Sequence, residues 1–422
     1  MDGEFREMVS PAEADAILAA ALPRYPSVTL PLAKCQGRIL REPILADRAQ
    51  PPFDRVAMDG IAFAFSAWEK GLRRFAIEGM QKAGDRPKRL ESESGCLEAM
   101  TGAVLPIRTD CIAPVEDISV ADGYATLSDG AGSPVPFRYV HRAGADCAKG
   151  DVIVPEGVLL TAPHIGAAAA FGKTDLKVAA APSVAIVATG DELVDPARDP
   201  LTHQIRRSNP PSIEAALKKR RIERVASLHC RDDRDRLHKC IEGVMEKCDV
   251  LILTGGVSMG KTDYVPGVLK ALGVKPRFHR IRQKPGKPFW FGIAPAGTPV
   301  FALPGNPASV LVCLYRYVLP ALERSMGLAL GRDSGDSENP GALSVESDST
   351  PAVLAQGTGR GKLTQFRPVR VAWDAEGRLR ATWTDNQGSG DFSGWARSDG
   401  FVEIEAGEGE MPAGSVARLW RW

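Results

Sequence analysis

The sequence predicts a multidomain α/β protein, with a central α/β domain between two β-rich segments. Three observations carry that expectation. Residues 182–327 repeat strand–loop–helix units, the pattern of a largely parallel sheet. Residues 75–140 favour short strands broken by glycine turns, which reads as a small β-rich domain. Residues 328–349 are rich in Gly, Ser and Asp, and residues 350–422 return to short strands split by turns.

Each element has a local reason. Ser10 caps a helix over 10–22, with Pro11 in the first turn and Glu13 at the third position of a capping box. Residues 30–40 read as a strand and a turn before Gly37. The stretch 51–65, PPFDRVAMDGIAFAF, runs from a diproline into Met58-Asp59-Gly60. It reads either as a connecting turn or as a carboxylate held against a ligand, with Gly60 permitting close approach. Strands at 76–78, 110–115, 124–127 and 138–140 build the β-rich domain, in which Thr101-Gly102 is a weak signal alone. A polar loop over 142–154 enters a strand, and an alanine-rich helix follows within 155–171.

At Pro182 the character changes. Val184–Ala188 is a strand buried on both faces, ending in Thr189-Gly190-Asp191-Glu192. Ser208-Asn209-Pro210-Pro211 starts a helix through Arg220. A strand over 222–228, the loop Arg231-Asp232-Asp233 and a helix over 235–248 follow. Next come a strand over 249–254, a glycine loop from Gly255 to Asp263 and a helix over 265–272. A strand over 275–282 leads into the loop 283–288. A strand over 299–303 ends in Pro304-Gly305-Asn306-Pro307, and one long helix is expected over 308–327. Beyond the linker, strands are expected at 362–371, 379–383, 401–404 and 416–420.

Size and composition narrow the function classes. The chain has 422 residues, 44% hydrophobic and 25% charged, ordinary values for a soluble protein with ample core. Its formal net charge is +1, so no strong field marks nucleic acid or a membrane as the main partner. The eight cysteines are scattered from Cys35 to Cys313, with no C-x-x-C pair and no clustering with histidine. That usage argues against structural zinc and suits a reducing compartment. The start, MDGEFREM, lacks the apolar segment of a signal peptide, and no apolar run is long enough to span a bilayer. A cytoplasmic protein is the expectation.

Five polar loops follow strands of the α/β domain, at 189–192, 231–233, 255–263, 284–287 and 304–307. Parallel strands would put them on one edge, where open sheets bind ligands. Their carboxylates, lysines and backbone N–H groups suit an anionic ligand with a divalent cation. Gly255–Thr262 also satisfies the P-loop pattern G-x-x-x-x-G-K-[ST], with Lys261 and Thr262 in the phosphate and magnesium positions. Against that reading, Pro266 pushes the helix start beyond Lys261, Asp263 adds negative charge, and the following strands end in Arg282 and Leu303 rather than aspartate. Taken singly, Asp59, Asp232 and Asp263 also suit turns or helix caps, and Lys284 and Lys287 also suit solvated loops.

Together and in this order, the loops resemble the molybdopterin molybdenumtransferase family, the MoeA-like proteins and the gephyrin E domain. The likeness rests on Ala57-Met58-Asp59-Gly60, Thr101-Gly102, Val115-Glu116-Asp117, and Arg142 with Gly144 and Asp146. It continues through Thr189-Gly190-Asp191-Glu192-Leu193, Ser208-Asn209, Gly255-Gly256-Val257-Ser258 and Asp263-Tyr264. Lys284-Pro285-Gly286-Lys287-Pro288 and Leu303-Pro304-Gly305-Asn306-Pro307 complete it. The chain departs from the family pattern at Arg55, Ile61, Lys261 and Asp391.

The resemblance implies an elongated protein with a linker and dimerisation domain over 1–27, 42–54 and 141–181. It implies a β-rich inserted domain over 28–41 and 55–140, a molybdopterin-binding α/β domain over 182–327 and a C-terminal β-barrel-like domain over 328–422. The implied reaction inserts molybdate into adenylylated molybdopterin, with magnesium-dependent release of AMP. The implied assembly is a homodimer whose site lies between the α/β domain of one subunit and the first loops of the other. Asp59, Asp232 and Asp263 would be the catalytic and magnesium-binding carboxylates, with Thr101 and Glu192 shaping the site. Gly190, Asp191, Ser208, Asn209, Gly255, Gly256, Ser258, Pro304, Asn306 and Pro307 would line the pterin side. Lys284 and Lys287 would hold molybdate or phosphate. Other molybdenum cofactor biosynthesis proteins and acceptor molybdoenzymes are the implied partners. A pterin-binding scaffold without turnover and a P-loop NTPase are the alternatives.

Overall fold

A computed structural model describes residues 5–130, 132–257, 263–329 and 349–422. Two compact units emerge: Met1–Glu42 with Pro155–Ile165 and Thr174–Trp422, and Pro43–Val154 with Gly166–Lys173. Each is described by itself.

The second unit holds a six-stranded mixed sheet. Its order is Cys111–Pro114, Gly60–Phe63, Gly95–Ala99, Arg74–Gln81, Tyr124–Leu127, Ile118–Ala121. The apolar side chains of Ile61, Phe63, Phe75 and Cys96 fill its core. Ile61 is fully buried there, so this departure from the family pattern serves packing. Gly60 lies so close to the neighbouring strand that a Cβ would sit 1.9 Å from the Ala113 carbonyl oxygen. Only glycine fits after Asp59. Arg55, another departure, places Nη2 3.1 Å from His141 Nδ1, and His141 Nε2 is 2.8 Å from Asp146.

In the first unit, Ser27–Pro31 pairs antiparallel with Asp175–Ala179. Residues 28–41 therefore lie in this unit and take no part in the sheet of 60–127, with which the expected boundaries grouped them. The α/β domain runs β1 (Val184–Thr189), α1 (Asn209–Lys219), β2 (Val225–Cys230), α2 (Arg234–Met245), β3 (Val250–Thr254) and α3 (Val265–Ala271). It continues with β4 (Lys275–His279), β5 (Trp290–Ile293), β6 (Pro299–Leu303) and α4 (Pro307–Cys313). The sheet order is β2-β1-β3-β6-β5-β4. β1 is parallel to β2 and β3, and β3 to β6, while β5 is antiparallel to β6 and β4. Apolar clusters cover both faces, which is why β1, β3 and β6 read as unbroken hydrophobic runs.

The helix expected over 308–327 is not uniform. Between α4 and the helix Leu319–Ser325, residues Leu314–Val318 are π-helical. Pro320 lacks an N–H and its ring crowds the carbonyl one turn back, so the ladder widens just before it.

The C-terminal segment forms a closed barrel. Thr364–Trp373, Leu379–Trp383, Thr350–Leu354, Val416–Arg421 and Gly400–Ile404 follow one another, and the last pairs back onto the first. The short strand Gln283–Lys284 adds to this barrel, parallel to Thr364–Gln365. Arg316, in the π-helical segment, binds Asp15 through Nη1 at 2.8 Å and Nη2 at 2.9 Å, and Glu403 through Nε at 3.1 Å. That buried hub joins the N-terminal helix Pro11–Ala21, the α/β domain and the barrel. Among the described residues no helix is long and apolar enough to cross a membrane.

Candidate active site

The strand order reverses direction at β1, and the crevice beyond the C-terminal ends of β1 and β3 is where doubly wound sheets take ligands. A cavity of about 620 Å³ lies there. Each of its walls starts from a strand end. Thr189 and Gly190 follow β1, Asp232 follows β2, Gly255 and Gly256 follow β3, and Pro304 to Pro307 follow β6.

The glycines are structural necessities. Gly255 and Gly256 both have positive φ, +90° and +65°. A Cβ on Gly255 would lie 2.7 Å from the Thr189 carbonyl oxygen, and one on Gly256 2.9 Å from Val265 Cγ2. The loops are also tied to one another. Asn209 Nδ2 donates to the Gly305 carbonyl at 2.7 Å, and Gly255 N–H to the Leu303 carbonyl at 3.1 Å. Asn306 Nδ2 donates to Ser389 Oγ at 3.0 Å, and His229 Nε2 is 2.8 Å from the Gly190 carbonyl. Such ties fix the loops before a ligand arrives.

Glu192, Asp232 and Asp263 line this cleft together. Burial pushes the Asp232 carboxyl above its ordinary range; the Asp191 N–H bonds to it, and the charges of Glu192, Asp191 and Asp263 raise it further. Asp191 itself is exposed, and both its backbone N–H and its charge act on Asp232. The neighbouring Asp233 has a different role, because its side chain caps α2 by accepting Arg236 N–H at 2.8 Å. Ser208, Asn209, Gly190, Gly255, Gly256, Pro304, Asn306 and Pro307 all line the cleft. Ser258, with Lys261 and Thr262, lies outside the described residues. Helix α3 begins at Val265 with Pro266 in its first turn, the start that the proline implied.

Lys284 and Lys287 line a different, adjoining cavity of about 1280 Å³, walled on its far side by the barrel. Pro288, Pro304 and Asn306 line both cavities. The pairing of Gln283–Lys284 with Thr364–Gln365 brings the lysines there. Arg367, stacked 4.3 Å over the Trp383 ring, adds a third cation. Trp395 Nε1 and Thr384 Oγ1 are buried donors without a partner among the described residues, and both residues line this cavity. Sequence reading missed these barrel residues. Asp391 caps the short helix Phe392–Ala396; the Ser393 hydroxyl and the N–H groups of Gln387 and Gly394 hold its carboxyl down to about 2.

Asp59 and Thr101 stand in the second unit. Thr101 N–H donates to Asp59 Oδ1 at 2.6 Å, and this bond, with the Thr101 hydroxyl, holds the Asp59 carboxyl below the usual range. The Met-Asp-Gly and Thr-Gly turns, far apart in sequence, thus form one carboxylate turn.

Comparison with known proteins now bears on these loops. A molybdopterin molybdenumtransferase from Synechocystis is 35% identical over 419 residues, 98% of this chain and 100% of that protein. The chain belongs to the molybdopterin molybdenumtransferase family. Profiles described as "MoeA N-terminal region (domain I and II)", "Probable molybdopterin binding domain" and "MoeA C-terminal region (domain IV)" match residues 9–172, 185–324 and 352–422. The molybdenumtransferase of Haemophilus influenzae is 29% identical, covering 94% of each chain. The crystal structure of a MoeA protein of molybdopterin biosynthesis from Pyrococcus horikoshii is 27% identical, covers 98% of this chain and 99% of its own, and superposes with a TM-score of 0.76. The multidomain α/β architecture, with N-terminal, central and C-terminal parts, is that of the family.

Proposed function

We propose that this chain inserts molybdate into adenylylated molybdopterin and releases AMP in a magnesium-dependent reaction. The observation that carries the proposal is the convergence of Glu192, Asp232 and Asp263 with two positive-φ glycines in one cleft at the sheet's switch point. Burial, and then the neighbouring charges of Glu192, Asp191 and Asp263, make Asp232 resist ionisation, and a cation beside it would relieve that cost. The donors are all oxygens, which suits a hard ion, and magnesium binds through one or two carboxylates plus waters and substrate phosphates. Asp232 and Asp263 would hold the ion, with Asp59 from the other subunit of the proposed homodimer as the further carboxylate. Its contribution when bound would be to neutralise charge on the phosphoanhydride oxygens.

The chain's own groups do the remainder. The glycine pair lets the backbone approach the ligand, and Asn209 and Asn306 fix the walls around it. Thr101 keeps Asp59 ionised and able to orient a water. Lys284 and Lys287 would hold molybdate in the adjoining cavity. We further propose a cytoplasmic homodimer that passes finished cofactor to acceptor enzymes.

The test is incubation with adenylylated molybdopterin, molybdate and magnesium, measuring AMP and finished cofactor. Both products should form. Asp263→Ala and Asp59→Ala should each abolish AMP release while leaving pterin binding intact. Undiminished AMP from both variants overturns their assignment, and pterin binding without AMP from the unaltered chain would favour a scaffold.

A further inference from the structure

The cleft behind β1 and β3 has an unsolved charge problem. Its described ionisable lining is Glu192, Asp232 and Asp263 against Arg206 and Arg207. A phosphorylated ligand adds more negative charge, so a cationic side chain beside the proposed magnesium would favour its binding. Arg206 is engaged along the protein surface, with Nε on the Arg198 carbonyl at 3.0 Å and Nη2 on Asp199 at 3.0 Å.

Arg207 is arranged differently. Its Nη2 is fastened to Asp195 Oδ2 at 2.8 Å, and Asp195 is itself braced by Ala197 N–H at 3.0 Å. The Arg207 backbone N–H bonds to the Val194 carbonyl at 2.9 Å. The Asp195 bond holds the guanidinium and the backbone bond holds the chain beneath it, yet the Nε is buried without a hydrogen-bond partner among the described residues. In Arg41 and Arg220, by contrast, Nε lies 3.5 Å and 3.0 Å from a carboxylate oxygen of Glu156 and Glu323. A second buried polar atom in the same cleft, Thr189 Oγ1, also lacks a partner among the described residues, and Thr189 is only 4% exposed. Buried donors left open inside a cleft mark where an acceptor belongs.

We infer that Arg207 is the phosphate-reading residue of this cleft, positioned by Asp195, and that it takes a phosphoryl oxygen of the pterin ligand. The inference rests on the proposed function for the identity of the ligand. The phosphoryl group is either the monoester of molybdopterin or the anhydride of its adenylylated form, and guanidinium recognition is the same for both.

The full chain and its Arg207→Ala, Arg207→Lys and Asp195→Asn variants would be titrated with molybdopterin, adenylylated molybdopterin and a dephosphorylated pterin, with circular dichroism as the control for folding. Arg207→Ala should weaken phosphorylated pterins about ten- to a hundred-fold and leave the dephosphorylated pterin unchanged. Weakening of both phosphorylated forms identifies the monoester phosphate, and weakening of the adenylylated form alone identifies the anhydride. Arg207→Lys should recover part of the loss, and Asp195→Asn should raise KM with little change in kcat. Equal binding of both phosphorylated forms by the unaltered chain and by Arg207→Ala overturns the inference and leaves the proposed function standing. An unaltered chain that binds no pterin overturns the proposed function instead. Arg207 is then judged with inorganic pyrophosphate, whose equal binding by the chain and the variant overturns the inference too. Should Arg207→Ala not fold, the lysine and Asp195→Asn variants decide by the same comparisons.

Discussion

At the scale of residues, two adjacent aspartates divide one loop between stability and chemistry. Asp233 caps α2, whereas Asp232 faces the cleft with a carboxyl raised by burial and by the Glu192, Asp191 and Asp263 charges. Asp233→Ala should cost about 1 kcal/mol of stability, as lost caps do, and leave AMP release intact. Asp232→Asn should do the reverse. A carboxyl whose folded value is raised binds more protons when native, so its effect on stability turns unfavourable as pH rises through the unfolded and then the folded value. At pH 7 the metal-free Asp232→Asn variant should therefore melt above the metal-free unaltered chain and shrink that margin near pH 4, and with magnesium supplied it should release no AMP. A thermal scan at both pH values checks this, and a lower melting point at pH 7 would contradict it. Asp59 has the opposite sign: its lowered carboxyl contributes stability above its unfolded value near pH 4, lost as pH falls through the folded one.

At the scale of elements, the turn after β3 decides the cleft. Gly255 and Gly256 stand in left-handed conformations with neighbours where side chains would be. Gly256→Ala should cost about 1–2 kcal/mol for the backbone alone, with more from the approach to Val265. Pterin affinity should fall with it, because the loop must move to relieve the contact. Calorimetric titration reads the affinity, and denaturant titration reads the stability. The sequence pattern G-x-x-x-x-G-K-[ST] suggested a nucleotide loop from these glycines, but α3 starts only at Val265. The helix that a P-loop lysine and threonine would open begins past both of them.

At the scale of the whole molecule, Arg316 joins three segments far apart in sequence through Asp15, Glu403 and its own π-helical turn. Arg316→Ala would leave the Glu403 carboxylate buried, with a hydrogen bond from Trp420 Nε1 still in place among the described residues. Breaking one side of such a pair costs about 3–5 kcal/mol, so the melting transition should drop by several degrees or split. An Arg316→Met, Glu403→Gln double change should recover part of that loss. Equal stability of the single variant and the unaltered chain would remove the hub from the account of how the barrel is held.

Much of this protein was legible in the sequence because its ligand loops are local. Thr189-Gly190-Asp191-Glu192, Gly255-Gly256 and Pro304-Gly305-Asn306-Pro307 each end a hydrophobic strand, and periodicity together with glycine fixes such turns within a few residues. The capping box at Ser10 and Glu13 formed as written. What tertiary structure alone decided were partnerships across long separations. Pairing of Gln283–Lys284 with Thr364–Gln365 carried the lysines into a second cavity, and pairing of Gly400–Ile404 with Thr364–Trp373 closed the barrel. Ser27–Pro31 found its partner at Asp175–Ala179 rather than in the nearer β-rich sheet. A strand carries its side-chain pattern in its own residues, but its choice of neighbour depends on hydrogen bonds and burial that exist only once the chain has folded.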